Sequence, residues 1–149
     1  MHVIKLLLLN NPTLKVHMKT YIHLHTRAIF QKEGSKDESL YRGSQMDFYC
    51  ESSCPVLPIK GGSVMLNYHP KKGDWSMTVY QDCEHYFDPE TRTLIPIIHI
   101  ENVDEELYLE DEDRWKDDLR KVIMPHLKKL GFIASENGDF DPKKLFKKK

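Results

Sequence analysis

No apolar run in this chain approaches the roughly 20 residues that a membrane-spanning helix needs. The apolar start, Met1-His2-Val3-Ile4-Lys5 followed by Leu6 to Leu9, is too short for that. It also lacks the small-residue cleavage site of a secretory signal. Cysteine is scarce: Cys50, Cys54 and Cys83 are an odd set spread over a mid-sized chain, which does not read as a disulfide scaffold. Reduced thiols in a cytoplasmic protein are the simpler expectation. Excess charge of one sign is also missing. A formal net charge of −1 creates no overall field that would gather nucleic acid or an anionic membrane. There is no EF-hand spacing, no cofactor fingerprint, no internal repeat and no catalytic motif of high specificity.

What is present suits one folded domain. A chain of 149 residues can bury one real core and is too short for two comfortable ones. An apolar share of 40% against 30% charged residues belongs to a globular chain rather than a disordered one. Strand patterns dominate from about Met18 to Leu109. Along Tyr21–Phe30, residues Ile22, Leu24, Ala28 and Phe30 share one face, and Tyr21, His23, His25 and Arg27 share the other. Residues 31–44, rich in charge and glycine, read as an exposed loop. Met46, Phe48 and Cys50 then alternate with Asp47, Tyr49 and Glu51.

Gly61-Gly62 precedes a strand with Val64, Leu66 and Tyr68 on one face. The turn Pro70 to Asp74 joins it to a strand opened by Trp75, Met77 and Val79, the best hairpin in the chain. Asp88-Pro89-Glu90-Thr91 is a second turn. It separates Glu84–Phe87 from the run Thr93–Val103, which is apolar on both faces. Such a run belongs in an interior or against a partner, whereas Pro96 within it points to an edge or a bulge.

Asp111 to Leu130 is an amphipathic helix with Trp115, Leu119, Val122, Ile123, Leu127 and Leu130 on its apolar stripe. Asp111 or Asp113 suits its start, and Gly131 its end. Pro125 predicts a kink or break over Lys121–Pro125. The expected fold is therefore a single α+β domain over residues 18–134, a mostly antiparallel sheet of about five to six strands under one C-terminal helix. Residues 1–17 form an N-terminal extension, read as a translation-start artefact or an extra strand. Residues 135–149 form a polar basic tail anchored only by Phe140, Leu145 and Phe146.

Five groups of residues carry chemistry that bears on function. His23 and His25 share a strand face, as a His-x-His metal pair would, but no third ligand lies nearby in sequence. A polar, solvent-facing pair is the plainer expectation. Ile22-His23-Leu24-His25 and Ile98-His99-Ile100-Glu101 together resemble the paired His-x-Thr/Ser motifs of two-histidine phosphoesterases, in which one imidazole is base and the other acid. The hydroxyl positions of that family fall at His25 and Glu101, so the resemblance lacks the groups that hold phosphate.

Cys50, Cys54, Cys83 and His85 offer a zinc-type donor set at poor spacing. Cys50 and Cys83 fit a core better, so no metal and no cofactor are expected. The lysine tail makes nucleic acid an alternative partner, although the carboxylates elsewhere would repel its backbone. The last group is a belt of carboxylates that includes Glu105, Glu106, Glu110, Asp111 and Asp113.

The leading functional expectation follows from that belt. It is a non-enzymatic, cytoplasmic interaction module of the immunity or inhibitor type, whose acidic surface meets a basic protein partner and not a membrane. A phosphodiester-acting enzyme built on His23 and His99, and a nucleic-acid-binding domain using the lysine tail, are the alternatives.

Overall fold

The computed structural model describes residues 18–34, 42–54 and 56–146. The expectations for residues 1–17 and for Lys147, Lys148 and Lys149 lie outside the described residues, as does the middle of the loop placed at 31–44. Among the described residues seven strands form one sheet: β1 (Met18–Gln31), β2 (Arg42–Cys54), β3 (Ser63–His69), β4 (Gly73–Val79), β5 (Glu84–Asp88), β6 (Thr93–Tyr108) and β7 (Ile133–Ser135). Their order is β3-β4-β6-β1-β2-β7, and β5 pairs with β6 on the side that β4 also uses.

The α+β expectation holds at that level, but the sheet is larger and mixed. Its central pair, β1 and β6, runs parallel from Tyr21↔Ile97 to Gln31↔Tyr108, while the other pairs are antiparallel. Alternation along a strand says which face a residue takes; it does not say which strand lies alongside, or in which direction. β1 and β2 are also longer than local composition implied. Phe30↔Arg42 and Ala28↔Ser44 pair because the ladder continues past the charged, glycine-bearing ends.

One helix, α1, spans residues 109–129 and covers one sheet face. It opens with a 3-10 turn (Leu109–Asp111) and an α segment (Glu112–Asp118). It then widens into a π segment (Leu119–Ile123) and closes with a second α segment (Met124–Lys129). The widening precedes Pro125, whose ring would clash with the carbonyl four residues back and which cannot donate to it. Across the wider turn, a four-residue step keeps side chains in line. Leu119, Ile123 and Leu127 are therefore buried, while Val122 is half-buried and Leu130 exposed.

The helix ends as Gly131 demands. With φ at +100°, it lets Phe132 N–H reach Leu127 O (2.9 Å) and Gly131 N–H reach Lys128 O (3.1 Å). At the other end Asp111 works from inside the first turn, accepting from Tyr108 N–H at 3.3 Å, rather than preceding it as a cap.

The main core lies between α1 and the sheet. Leu24, Phe48, Cys50, Tyr68, Met77, Val79, Ile98 and Ile100 meet Leu119, Ile123, Leu127 and Phe132 there. A smaller cluster sits on the opposite face, where Tyr21, Ile95 and Ile97 pack under Tyr86, Phe140 and Phe146. Phe146 stacks on Tyr21 at 5.6 Å, and a short helix, α2 (Pro142–Leu145), leads into it. Residues 136–146 thus fold back over the sheet, so this part of the tail is an element of the fold.

The two-faced burial of β6 reflects these two clusters, except that Leu94 is 63% exposed. Pro96 lies on an interior strand. It is tolerated because the ladder to β1 begins one residue later, at Ile97.

Candidate functional site

The register of β2, β1 and β6 arranges the sheet face opposite α1 in rows. Tyr49, His23 and His99 form one row, and Asp47, His25 and Glu101 the next. Alternation puts all of these side chains on the face opposite α1. The expected solvent-facing histidine pair is therefore something else. His23 and His99 are each only 7% exposed.

His23 is the hub. Its Nδ1 lies 2.7 Å from Nδ1 of His99, and its Nε2 lies 2.6 Å from Asp47 Oδ1. His25 Nδ1 approaches the same carboxylate oxygen at 2.8 Å. The Tyr80 hydroxyl stands 3.3 Å from His23 Nδ1, and the Tyr49 ring stacks on His23 at 4.7 Å between centroids. Beyond His99, Glu84 Oε1 lies 2.6 Å from Nε2. The angle there falls short of a hydrogen bond, so among the described residues this buried ring nitrogen has no hydrogen-bond partner. The peptide at Gly138 closes the near side: its carbonyl accepts from the Tyr49 hydroxyl at 2.9 Å.

The electrostatics follow from the packing. Burial works to raise the Asp47 carboxyl, but hydrogen bonds from His23 and His25 outweigh it and hold the group well below the usual carboxylate range. Burial and the neighbouring His23 push His99 below its ordinary value, against the opposing pull of Glu84. Tyr49 and Tyr80 are both pushed up to about 12 by burial, with Asp47 adding to it. Buried titratable groups concentrated in this way mark a functional candidate.

The contact between His23 and His99 bears on the phosphoesterase resemblance. At 2.7 Å no phosphoryl group fits between the two nitrogens, and His25 and Glu101 bring no hydroxyl to the site.

The acidic belt divides into two kinds of residue. Glu105 and Glu106 end β6, Glu110 lies in the first turn of α1, and Asp113 follows; all four are exposed. Among the described residues none of the four forms an ion pair. Their neighbours do. Asp111 pairs with Arg114 (2.6 Å), Glu112 with Lys116 (2.9 Å) and Arg42 (3.2 Å), Asp117 with Lys121 (3.6 Å) and Asp118 with His69 (3.5 Å). Asp111 is accordingly partly buried and engaged in the helix start.

Among the described residues Cys50, Cys54, Cys83 and His85 do not form a group with metal-ligand spacing. Cys50 Sγ donates to Glu51 O and Cys54 Sγ to Val56 O, both local contacts, and Cys83 Sγ donates across to Ile97 O on β6. All three thiols are free, and His85 is exposed elsewhere on β5. Burial raises the Cys50 and Cys83 thiols, as expected of core residues rather than reactive ones.

Asp47, Glu84, Tyr49 and Tyr80 had no sequence signal tying them to the histidines. Only register and the approach of β4 and β5 to β6 connect them. No protein-family model matches this sequence, and neither a curated protein nor a solved structure is significantly similar to it. Among the described residues no helix is long and apolar enough to cross a membrane.

Proposed function

We propose that this protein is a small interaction module, of the immunity or inhibitor type, that engages a basic protein partner through the rim formed by Glu105, Glu106, Glu110, Asp111 and Asp113. One observation supports the reading most. Glu105, Glu106, Glu110 and Asp113 are exposed, close along the chain and without ion pairs among the described residues, while Asp111, Glu112 and Asp117 between and beyond them are paired with cations. Unpaired like charges held together repel one another, and a cationic surface relieves that repulsion. Over about 8–10 Å at physiological salt they also speed encounter with such a surface. The rim lies where β6 leaves the sheet and enters α1, a junction braced by Asp104, whose Oδ2 accepts from Trp115 Nε1 at 3.0 Å. The charges therefore stand on a rigid support. Three free thiols fit a reducing compartment such as the cytoplasm.

The test compares the full chain with its Glu105→Lys, Glu106→Lys, Glu110→Lys triple variant in affinity capture from the native host, at low and high salt. A host protein retained by the parent at low salt, and lost on reversal or on adding salt, supports the reading. No retained protein, or one held equally by the folded triple variant at both salt levels, overturns it.

A further inference from the structure

Hydrogen-bond counting across the histidine centre exposes a deficit. Asp47 Oδ1, His23, His99 and Glu84 Oε1 form a line with three close contacts: 2.6 Å, 2.7 Å and 2.6 Å. Each contact joins two atoms that carry lone pairs, so each needs one positive centre between them. Two neutral imidazoles carry only two N–H protons. One contact is therefore left without a proton between its two acceptors. His99 Nε2, which has no hydrogen-bond partner among the described residues, stands at the far end of this line. His25 adds a further nitrogen, since its Nδ1 also points at Asp47 Oδ1.

We propose that His23 Nε2, His25 Nδ1 and Asp47 Oδ1 are the ligands of a divalent transition-metal ion of the zinc class. The three donor atoms lie within 4.8 Å of one another. Tetrahedral zinc, with bonds of about 2.0–2.1 Å, holds its ligand atoms roughly 3.3 Å apart. The short contacts at Asp47 Oδ1, 2.6 Å and 2.8 Å, thus open by about 0.5–0.7 Å to admit the ion.

The cation then replaces the missing proton. With Nε2 on the metal, His23 carries its hydrogen on Nδ1 and donates it to Nδ1 of His99. His99 in turn carries its hydrogen on Nε2, on the side where Glu84 Oε1 lies 2.6 Å away. Every nitrogen in the line then has a role, with both imidazoles neutral. His99 and Glu84 become the groups that orient a ligand from behind, as metal-bound histidines ordinarily require.

The donor set identifies the ion class. Two imidazoles and one carboxylate suit zinc and its neighbours rather than calcium or magnesium, which prefer oxygen alone. Three protein donors leave a fourth position open to water or to a ligand. His25 and Asp47 have side chains 17% and 14% exposed, so an ion can enter from the open face. The third donor that the His-x-His pair lacked in sequence is supplied by β2, directly opposite His25.

The experiment uses the full chain, treated with chelator, dialysed and titrated with Co²⁺, whose visible absorption reports ligand geometry. One Co²⁺ per chain is expected, with visible bands, no thiolate charge-transfer band, and displacement by Zn²⁺. His25→Ala, at the half-open edge of the site, should abolish the bands while far-UV circular dichroism stays unchanged. His99→Gln should weaken binding by about 10–100-fold. Asp47→Ala should also abolish the bands; if that variant does not fold, His25→Ala alone decides. Absence of stoichiometric binding overturns the proposal. So does binding unaffected by His25→Ala, or a near-ultraviolet thiolate band that disappears in Cys54→Ser.

Discussion

Replacing Ile123 and Val122 separately by alanine tests whether the π segment sets the docking of α1. Both residues belong to the apolar stripe by spacing, yet Ile123 is 5% exposed and packs in the main core, whereas Val122 is half-buried. Removing three carbons from a closed site loses their transfer free energy and leaves a cavity, together about 3 kcal/mol for a buried isoleucine. The better helix propensity of alanine returns roughly 0.5 kcal/mol. Ile123→Ala should therefore cost about 2.5 kcal/mol.

Val122→Ala loses two carbons that are only partly withdrawn from water, about 1 kcal/mol, and the propensity gain offsets nearly half of it. The expected cost is about 0.5 kcal/mol. Urea unfolding followed by tryptophan fluorescence reads both variants. With a slope of about 2 kcal/mol/M, the Ile123→Ala midpoint should fall by roughly 1.2 M and that of Val122→Ala by about 0.3 M, with slopes unchanged. Equal losses would mean that the helix packs in ordinary α phase and that Pro125 does not set the burial of its stripe.

Three further outcomes are expected. Tyr68, buried and hydrogen-bonded to Thr26 Oγ1 at 2.7 Å, is pushed up to about 12 by burial. Its folded value lies above its unfolded one near 10, so the stability it contributes is complete below pH 10 and is lost as pH rises towards 12. Urea midpoints measured from pH 8 to 12 should fall over that window in the parent and fall less steeply in Tyr68→Phe; identical slopes would refute this. Gly138 has φ at +73°, and a Cβ there would stand 3.0 Å from Asp47 Oδ2. Gly138→Ala should cost about 1–2 kcal/mol in thermal or urea unfolding, and a neutral result would show that the turn relaxes freely. Phe146→Ala removes the ring stacked on Tyr21. Limited proteolysis should then cut within residues 136–146 well before the rest of the domain, whereas unchanged protection would mean that Phe140 alone holds the segment.

Much of the fold is legible in local pattern. The faces of β1, the β3–β4 hairpin, the Asp88–Arg92 turn and the Gly131 helix end all follow from side-chain alternation or from one residue's backbone preference. Trp75 illustrates the limit. Its phase is apolar, but it is only partly buried, leaning on Tyr68 at 4.8 Å, because β3 ends the sheet and leaves that hairpin with one neighbour fewer. The carboxylates of the rim were also visible as a run. That Asp111 is engaged while Glu105, Glu106, Glu110 and Asp113 are not depends on where Arg114 and the other cations fall around the helix.

By itself the sequence determined the α+β class, the strand faces, the end of α1 and its interruption before Pro125, because each is set by contacts within a few residues. Tertiary structure alone decided the parallel pairing of β1 with β6, the return of residues 136–146 over the open face, and the histidine centre. His23, Asp47, Glu84 and His99 are spread over more than seventy residues, and they meet because three ladders happen to share a register. Register is a property of the whole sheet: a slip of one residue would turn His23 and His25 into the main core and break the centre. No local pattern carries that information.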